Sequence, residues 1–217
     1  MDGWKLERIA WLDVETTGLD IERDLLLEVA LIVTSGNLRE LARESMVIAH
    51  TAEEIEAAFS LPGRDATYVR QMHTDNGLLE ACQGPWAVSL EEADDRLFHL
   101  LGVEAQGCKG SRFPIGGCSV WLDRCMVRRD LPQLHEMIHA RTVDASCLKV
   151  ALVNWGGVDP KRAPQKASSA HRALADTEAA VKLARTMKLH LQRARRAIGQ
   201  EGEFAVQASA PEHARSV

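Results

Sequence analysis

The stretch that most constrains the fold is Ile9–Leu19, which reads I-A-W-L-D-V-E-T-T-G-L. Its apolar run is too short for a core helix and ends at Thr-Thr-Gly, so we predict a buried β-strand. Asp13 and Glu15 lie two residues apart near its end, and in a strand such residues point to the same face. Two carboxylates on one face repel each other, and a divalent cation that prefers oxygen ligands would relieve the repulsion. An exposed edge strand with solvated acids is the alternative that this stretch alone leaves open.

Length and composition indicate one globular domain, at residues 1–197, and we expect a disordered tail at residues 198–217. Of the 217 residues 46% are apolar, and the formal net charge of −5 does not favour a long basic groove for nucleic acid. No apolar run is long enough to cross a bilayer, and the first residues lack a signal-peptide pattern, so we expect a cytoplasmic protein. The five cysteines include no C-x-x-C pair, and we interpret them as reduced thiols used mainly in packing.

The order of apolar runs and turns predicts an α/β domain with a mixed sheet. Short turns join the first three strands and favour antiparallel pairing, whereas the later strands alternate with helices and favour parallel pairing. Glu28 interrupts the second apolar run, and we interpret it as a solvent-facing strand residue. The predicted strands after the first span Asp24–Thr34, Leu38–Ala49, Phe113–Cys118 and Arg141–Val143.

Helices are predicted where apolar residues recur at helical spacing behind a capping residue. Thr51 begins a capping box, and Ser89 and Asp144 are further candidates for N-caps. The segments Leu61–Cys82 and Gly102–Arg112 are expected to be irregular. The predicted helices span Thr51–Ala58, Ser89–Leu101, Ser119–Arg129, Leu131–Ile138, Asp144–Val153 and Ser169–Arg196.

Four acids and one histidine occur in an arrangement that predicts a catalytic site. Asp13 and Glu15 end the first strand, and Asp123 lies on a helix after a Gly-Gly strand end. His171 and Asp176 lie five residues apart near the start of the last helix, which places them on either side of a site. Carboxylates around two Mg²⁺ or Mn²⁺ ions form a two-metal phosphodiesterase site, in which histidine is suited to act as general base near neutral pH.

The motifs that contain these residues resemble those of the DEDDh 3′→5′ exonucleases. The matching segments are D-V-E-T-T-G-L at Asp13–Leu19, Asp123 within W-L-D-R, and H-R-A-L-A-D at His171–Asp176. The resemblance implies an RNase H-like (DnaQ-like exonuclease) fold, an α/β fold with a mixed five-stranded sheet and flanking helices. It also implies two Mg²⁺ or Mn²⁺ ions per active site, with His171 as the general base. The implied metal ligands are Asp13, Glu15, Asp123 and Asp176.

Within that superfamily the chain is most similar to the oligoribonuclease family, whose members degrade very short RNA fragments. The similarity is based on M-H-T-x-x-G-L at Met72–Leu78, Gly117-x-Ser119, and R-x-x-D-x-S-x-L-K at Arg141–Lys149. It implies that a cap of side chains binds the 5′ phosphate, that Leu19 inserts between bases, and that Tyr68 lies near a base. It further implies a homodimer that acts on short single-stranded RNA or dinucleotides, without membrane association. The implied cap residues are His73, Ser119, Arg141 and Ser146.

Departures from the family pattern leave alternatives open. Val14 and Thr16 are typical of proofreading and general DNA exonucleases, so a DnaQ-like enzyme that proofreads or trims DNA 3′ ends is the second prediction. Short DNA is a second substrate class left open beside short RNA. Ala140 stands where the family has a tyrosine that the partner subunit contributes to the cap. A nuclease-fold scaffold without activity is a third alternative, which the presence of all five catalytic residue types disfavours.

Overall fold

A five-stranded mixed sheet forms the centre of the computed structural model, which describes residues 6–63, 65–159, 161 and 171–200. The order across the sheet is β3-β2-β1-β4-β5, with antiparallel β1–β2 and β2–β3 pairs and parallel β1–β4 and β4–β5 pairs. The predicted mixed five-stranded sheet is therefore confirmed. The strands are β1 (Arg8–Thr16), β2 (Leu26–Ser35), β3 (Glu40–Val47), β4 (Phe113–Gly117) and β5 (Ile138–Asp144).

Eight helices occur among the described residues, and three predicted N-caps are confirmed. Thr51 forms a capping box, the Ser89 side chain accepts a hydrogen bond in the first turn of its helix, and Asp144 does the same at a later helix. The helices are α1 (Ala52–Phe59), α2 (Thr67–Asp75), α3 (Leu78–Ala81), α4 (Leu90–Glu104), α5 (Trp121–Asp130), α6 (Pro132–Glu136), α7 (Ala145–Asn154) and α8 (Ala173–Gln200).

The expectation of irregular structure over Leu61–Cys82 is wrong, because α2 and α3 lie in this segment. Helix α2 is only 9 residues long and mostly polar, and His73 is its one buried residue, so its sequence gives a weak helix signal. The expected loop at Gly102–Arg112 also begins too early, since α4 continues to Glu104.

The last helix differs from its prediction at both ends. It begins at Ala173, and the predicted cap Ser169 lies outside the described residues. It continues to Gln200, so residues 198–200 belong to the helix and not to the predicted tail, of which residues 201–217 lie outside the described part. Within the described residues, no helix combines the length and the apolar character needed to cross a membrane.

Alternation along β1 builds two core layers, one on each face of the sheet. Ala10 and Leu12 pack into the layer that includes α4, α5 and α6, whereas Ile9 and Trp11 pack against α8. At Gly116 of β4, a Cβ atom would lie 2.6 Å from the Trp11 ring, so only glycine allows the two strands to approach this closely. Every second residue of β1 after Trp11 therefore faces α8 as well.

The cysteines are all free thiols, as predicted, and they differ in accessibility. Burial raises the pKa of the Cys82 thiol to about 12, whereas Cys147 is exposed on α7. Because the thiolate is the reactive form, we expect iodoacetamide to label Cys147 in the native protein and Cys82 only after unfolding. Mass spectrometry of peptides labelled with and without denaturant measures this difference. Equal native labelling of both thiols would contradict the buried position of Cys82.

Candidate active site

Three carboxylates meet where β1 ends beside α8. Asp13 and Glu15 lie on the same face of β1 as Trp11 and therefore face α8, which supplies Asp176 from its first turn. One oxygen from each of the three side chains lies within 4.8 Å of the others. Glu15 and Asp176 are buried, and Asp13 is half-buried. The structure thus brings together three of the four predicted metal ligands.

This donor set fits a hard divalent cation. Carboxylate oxygens are the ligands that Mg²⁺ and Mn²⁺ prefer, and the cluster contains neither the thiolate nor the imidazole nitrogen that favours softer metals. Three anionic groups this close, two of them buried, would otherwise repel one another with little solvent screening. The cluster therefore has the donor chemistry of a site for a divalent metal ion.

Asp123 reaches the site from the opposite layer of the sheet. It lies in the first turn of α5, and its Oδ1 accepts a hydrogen bond from the Val14 backbone N–H at 2.8 Å. Strand β4 pairs with β1 only at Ala10 and Trp11, so Asp123 satisfies a β1 amide beyond the end of that ladder. Among the described residues, Asp123 is adjacent to the three-carboxylate cluster without being part of it.

His171 lies immediately before α8 in a left-handed backbone conformation. Its φ is +47°, which is uncommon for a residue with a Cβ atom. Its carbonyl oxygen accepts a hydrogen bond from Asn76 Nδ2 at 2.6 Å, which ties the residue to the end of α2. The imidazole is half-buried, five residues before Asp176. The predicted general base therefore precedes the helix that supplies Asp176.

Glu28 is buried, so the interpretation of it as a solvent-facing strand residue is wrong. Only 3% of the residue is exposed, and both of its oxygens accept hydrogen bonds from Arg172, at 2.9 and 3.0 Å. Its Oε2 also accepts from the Ala173 N–H at 2.9 Å. The hydrogen bonds to Glu28 raise the pKa of the Arg172 guanidinium. A single acid inside an otherwise unbroken apolar strand was the available signal, because a buried charge requires a partner.

His73 lies beneath the site and not on its surface. It is fully buried, its Nε2 lies 3.1 Å from the Thr16 carbonyl oxygen, and the same nitrogen lies 3.8 Å from Glu15 Oε2. Desolvation by burial lowers the pKa of His73, against the opposing effect of the hydrogen bond to Thr16. Its position allows it to support the end of β1, whereas the resemblance implied a direct contact with a phosphate.

Two of the implied cap residues meet beside the carboxyl ends of β4 and β5. Ser119 Oγ and Ser146 Oγ are 3.2 Å apart, and Asp144 accepts hydrogen bonds from the backbone N–H groups of both serines. Arg141 is exposed in the middle of β5, and it lines a cavity of about 980 Å³ that Arg112 also lines. The structure therefore places the two serines together beyond the ends of β4 and β5, and Arg141 farther back, in the middle of β5.

The two implied base-contacting residues are exposed. Leu19 is 80% exposed, and Tyr68 at the start of α2 is 72% exposed. The loop of Leu19 is fixed by buried Asp24, which accepts hydrogen bonds from Thr17 Oγ1 at 2.8 Å and from the Asp20 N–H at 2.7 Å. An ordered loop that presents an apolar side chain to solvent is typical of a ligand-binding surface.

Curated relatives of the chain share the name oligoribonuclease. The protein of Corynebacterium glutamicum (strain R) is 35% identical over 170 residues, which cover 78% of this chain and 73% of the relative. The mitochondrial protein of Mus musculus is 31% identical over 176 residues, which cover 81% of this chain and 70% of the relative. No model of a protein family matches the chain.

Solved structures with the same fold are exonucleases. The zinc-bound form of the E. coli ExoI–ssDNA complex superimposes with a TM-score of 0.62 at 16% identity and covers 90% of this chain. Exonuclease I from Methylocaldum szegediense gives a TM-score of 0.54 at 16% identity and covers 89% of this chain. The chain spans 43% of the length of each of these proteins, so the likeness establishes the fold alone.

The sheet topology, the acids at the end of β1 and these similarities define a DEDDh 3′→5′ exonuclease with an RNase H-like (DnaQ-like) fold. Relatives at 31% to 35% identity are matched over most of their own length. The chain belongs to the oligoribonuclease family.

Proposed function

We propose that the protein is a metal-dependent 3′→5′ exoribonuclease that degrades very short oligonucleotides with His171 as general base. The observation that carries the proposal is the cluster of Asp13, Glu15 and Asp176, and His171 lies five residues before Asp176. Family membership supports the reaction class, and the name shared by the relatives supports short RNA as substrate.

Asp13, Glu15 and Asp176 would hold two Mg²⁺ or Mn²⁺ ions, with Asp123 as the fourth ligand. When bound, such ions lower the pKa of a water molecule and stabilise the charge that develops on the phosphate and the leaving oxygen. The contribution of the protein is to fix the carboxylates: Glu15 and Asp176 are buried, and Asp123 is hydrogen-bonded to the backbone of Val14.

His171 would take the proton of the attacking water. Near neutral pH an imidazole can accept this proton and release it to solvent in each cycle. Its half-buried position supports this role, because the backbone of the residue is anchored and part of the residue remains exposed to water. His73 has a different environment, and its full burial fits a role in holding Thr16 and Glu15.

Substrate length would be set by the distance between the metal centre and a cap for the 5′ phosphate. Ser119 and Ser146 present adjacent hydroxyls, and Arg141 is an exposed guanidinium, the group best suited to bind phosphate with two hydrogen bonds. Leu19 and Tyr68 would contact the bases. The net charge of −5 supports a substrate held at its ends over one held along a basic groove.

We also propose a cytoplasmic location and a homodimer, both from the family resemblance. Strand β5 is an edge strand of the sheet, and Ala140, Arg141 and Thr142 on it are exposed. In this chain a second subunit would meet a methyl group at Ala140, so any contribution of that subunit to the cap comes from another residue.

A second candidate is a DNA exonuclease that trims long strands. The fold neighbour of E. coli in complex with ssDNA and the residues Val14 and Thr16 favour it. This candidate requires affinity to grow with the length of the strand, which the cap model does not.

Substrate length distinguishes the two candidates. We expect the highest rate on 5′-phosphorylated dinucleotides and lower rates on five- and twenty-nucleotide RNA. Arg141→Ala should weaken binding of the dinucleotide by about 10- to 100-fold, since a hydrogen bond to a charged group contributes roughly 1.5–3 kcal/mol. The measurement is a time course on each length with and without the 5′ phosphate.

Arg39→Ala is the matched control, because it removes an exposed arginine outside the proposed cap. It should leave the preference for 5′-phosphorylated dinucleotides unchanged. Faster cleavage of the twenty-nucleotide strand, with no effect of the 5′ phosphate, would reject the cap and support the DNA exonuclease.

A further inference from the structure

We propose that Glu28 and Arg172 are positioning residues that hold His171 in its left-handed conformation at the active site. This inference deepens the proposed function and rests on it, since it explains how the proposed base is kept in place. Neither residue belongs to the predicted catalytic set.

Glu28 connects the middle of the sheet to the first residues of α8. In the β1–β2 ladder Glu28 is the Cα partner of Glu15, so the two acids lie side by side on adjacent strands. Glu15 belongs to the carboxylate cluster, whereas both oxygens of Glu28 are engaged by Arg172 and the Ala173 N–H. Glu28 therefore binds the residues at the start of α8 and is not part of the carboxylate cluster.

The anchors lie on both sides of His171. On one side, the Asn76 side chain at the end of α2 donates to the His171 carbonyl oxygen at 2.6 Å. On the other side, Glu28 binds the two residues that follow His171: it accepts from the side chain of Arg172 and from the backbone N–H of Ala173. The Asp176 N–H donates to the Arg172 carbonyl oxygen at 3.0 Å, so the same residue also begins the hydrogen-bond ladder of the helix.

A left-handed histidine needs such anchors. Residues with a Cβ atom are strained at positive φ and stay there only when the surrounding structure fixes them. Without the carboxylate of Glu28, the guanidinium of Arg172 loses two charge-assisted hydrogen bonds. The backbone N–H of Ala173, which has no acceptor within the helix, loses its hydrogen bond as well. The backbone at His171 can then relax, and the imidazole moves with it.

Glu28→Gln tests the proposal while it keeps the size of the side chain. We expect kcat to fall by about 10- to 100-fold, the loss typical of a catalytic group displaced by about 1 Å, with KM and Mn²⁺ affinity within about twofold. Arg172→Lys keeps the charge and loses the paired hydrogen bonds, so it should give a smaller loss of kcat. In Arg172→Lys, Glu28 still has a cationic partner, so this variant tests the proposal if Glu28→Gln does not fold.

The matched control is Glu40→Gln. Glu40 forms the same two-oxygen pair with Arg43, at 2.6 and 2.8 Å, on the exposed surface of β3. This variant loses an equivalent ion pair away from the site and should keep wild-type kcat. Assays well below the melting temperature of each variant separate positioning from a loss of folded protein.

A double-mutant cycle distinguishes positioning from a general structural effect. If Glu28 acts through His171, Glu28→Gln should lower kcat by less than about twofold in the His171→Ala background. A full additional loss in that background would overturn the proposal. So would unchanged kcat in both Glu28→Gln and Arg172→Lys.

One readout does not depend on activity. In ¹H–¹³C NMR spectra of the metal-free protein, Glu28→Gln should shift the imidazole resonance that His171→Gln removes, and Glu40→Gln should not. An unmoved resonance would overturn the positioning role. A wild-type protein without nuclease activity would refute the proposed function instead, and the resonance would still report whether Glu28 holds His171.

Discussion

Replacement of Asp13 by asparagine is expected to lower kcat on a short RNA substrate by on the order of 10³-fold, since a catalytic metal contributes several kcal/mol to the transition state. The amide keeps the shape of the side chain but removes one of three clustered carboxylates, so the affinity for Mn²⁺ should also fall. Steady-state turnover at saturating Mn²⁺ and calorimetric titration of Mn²⁺ measure the two effects.

Stability provides an independent check on the same substitution. In EDTA the carboxylates repel one another, so Asp13→Asn should melt at the same temperature as the wild type or at a higher one. Glu53→Gln is the control, because it removes an equal charge from the exposed face of α1 and should change neither turnover nor Mn²⁺ affinity. Full activity of Asp13→Asn, or of the wild type in excess EDTA, would refute metal-dependent catalysis.

Replacement of His171 by alanine is expected to reduce kcat by about 10²- to 10⁴-fold, the usual contribution of a general base. The affinity for Mn²⁺ should be nearly unchanged, because the carboxylate cluster does not include His171. This combination separates the base from the metal ligands, whose replacement should affect both quantities. Single-turnover rates and Mn²⁺ titrations on the same preparation measure it.

His99→Ala is the control for that substitution, since His99 is an exposed histidine on α4, outside the candidate site. It should leave kcat and metal affinity at wild-type values. Wild-type turnover in His171→Ala would assign activation of the water to the metal alone.

Local patterns in the sequence predicted the first four strands and three helix N-caps well. They missed α2 and α3 and extended a predicted helix to Ile138, where β5 begins. The N-caps at Thr51, Ser89 and Asp144 depend on residues a few positions apart, and their hydrogen bonds are those expected from the sequence. The antiparallel start and parallel continuation of the sheet follow from short turns and helical crossovers in the same way. Such features need no knowledge of distant parts of the chain.

The incorrect predictions for Glu28 and His73 have a common cause, which is contact between distant residues. The pair between Glu28 and Arg172 spans 144 residues, so the sequence near Glu28 cannot reveal its partner. His73 contacts the Thr16 carbonyl across 57 residues, and its burial determines where α2 packs. The three-carboxylate cluster could be predicted because the matching motifs supplied the long-range pairing that composition and periodicity lack.

Hydrogen bonds within the protein fix the conformation of the loop that presents Leu19. Asp24 and Thr17 hydrogen-bond across its base, and Arg129 on α5 donates to the Asp24 carbonyl oxygen at 2.7 Å and to that of Ile21. Folding has therefore already met the conformational entropy cost of ordering this segment, and a nucleotide that packed on Leu19, as proposed above, would not incur it again. Preorganisation of this kind would let a ligand with few atoms bind usefully, and Leu19→Ala would then remove one apolar contact while the hydrogen bonds that order the loop stay in place.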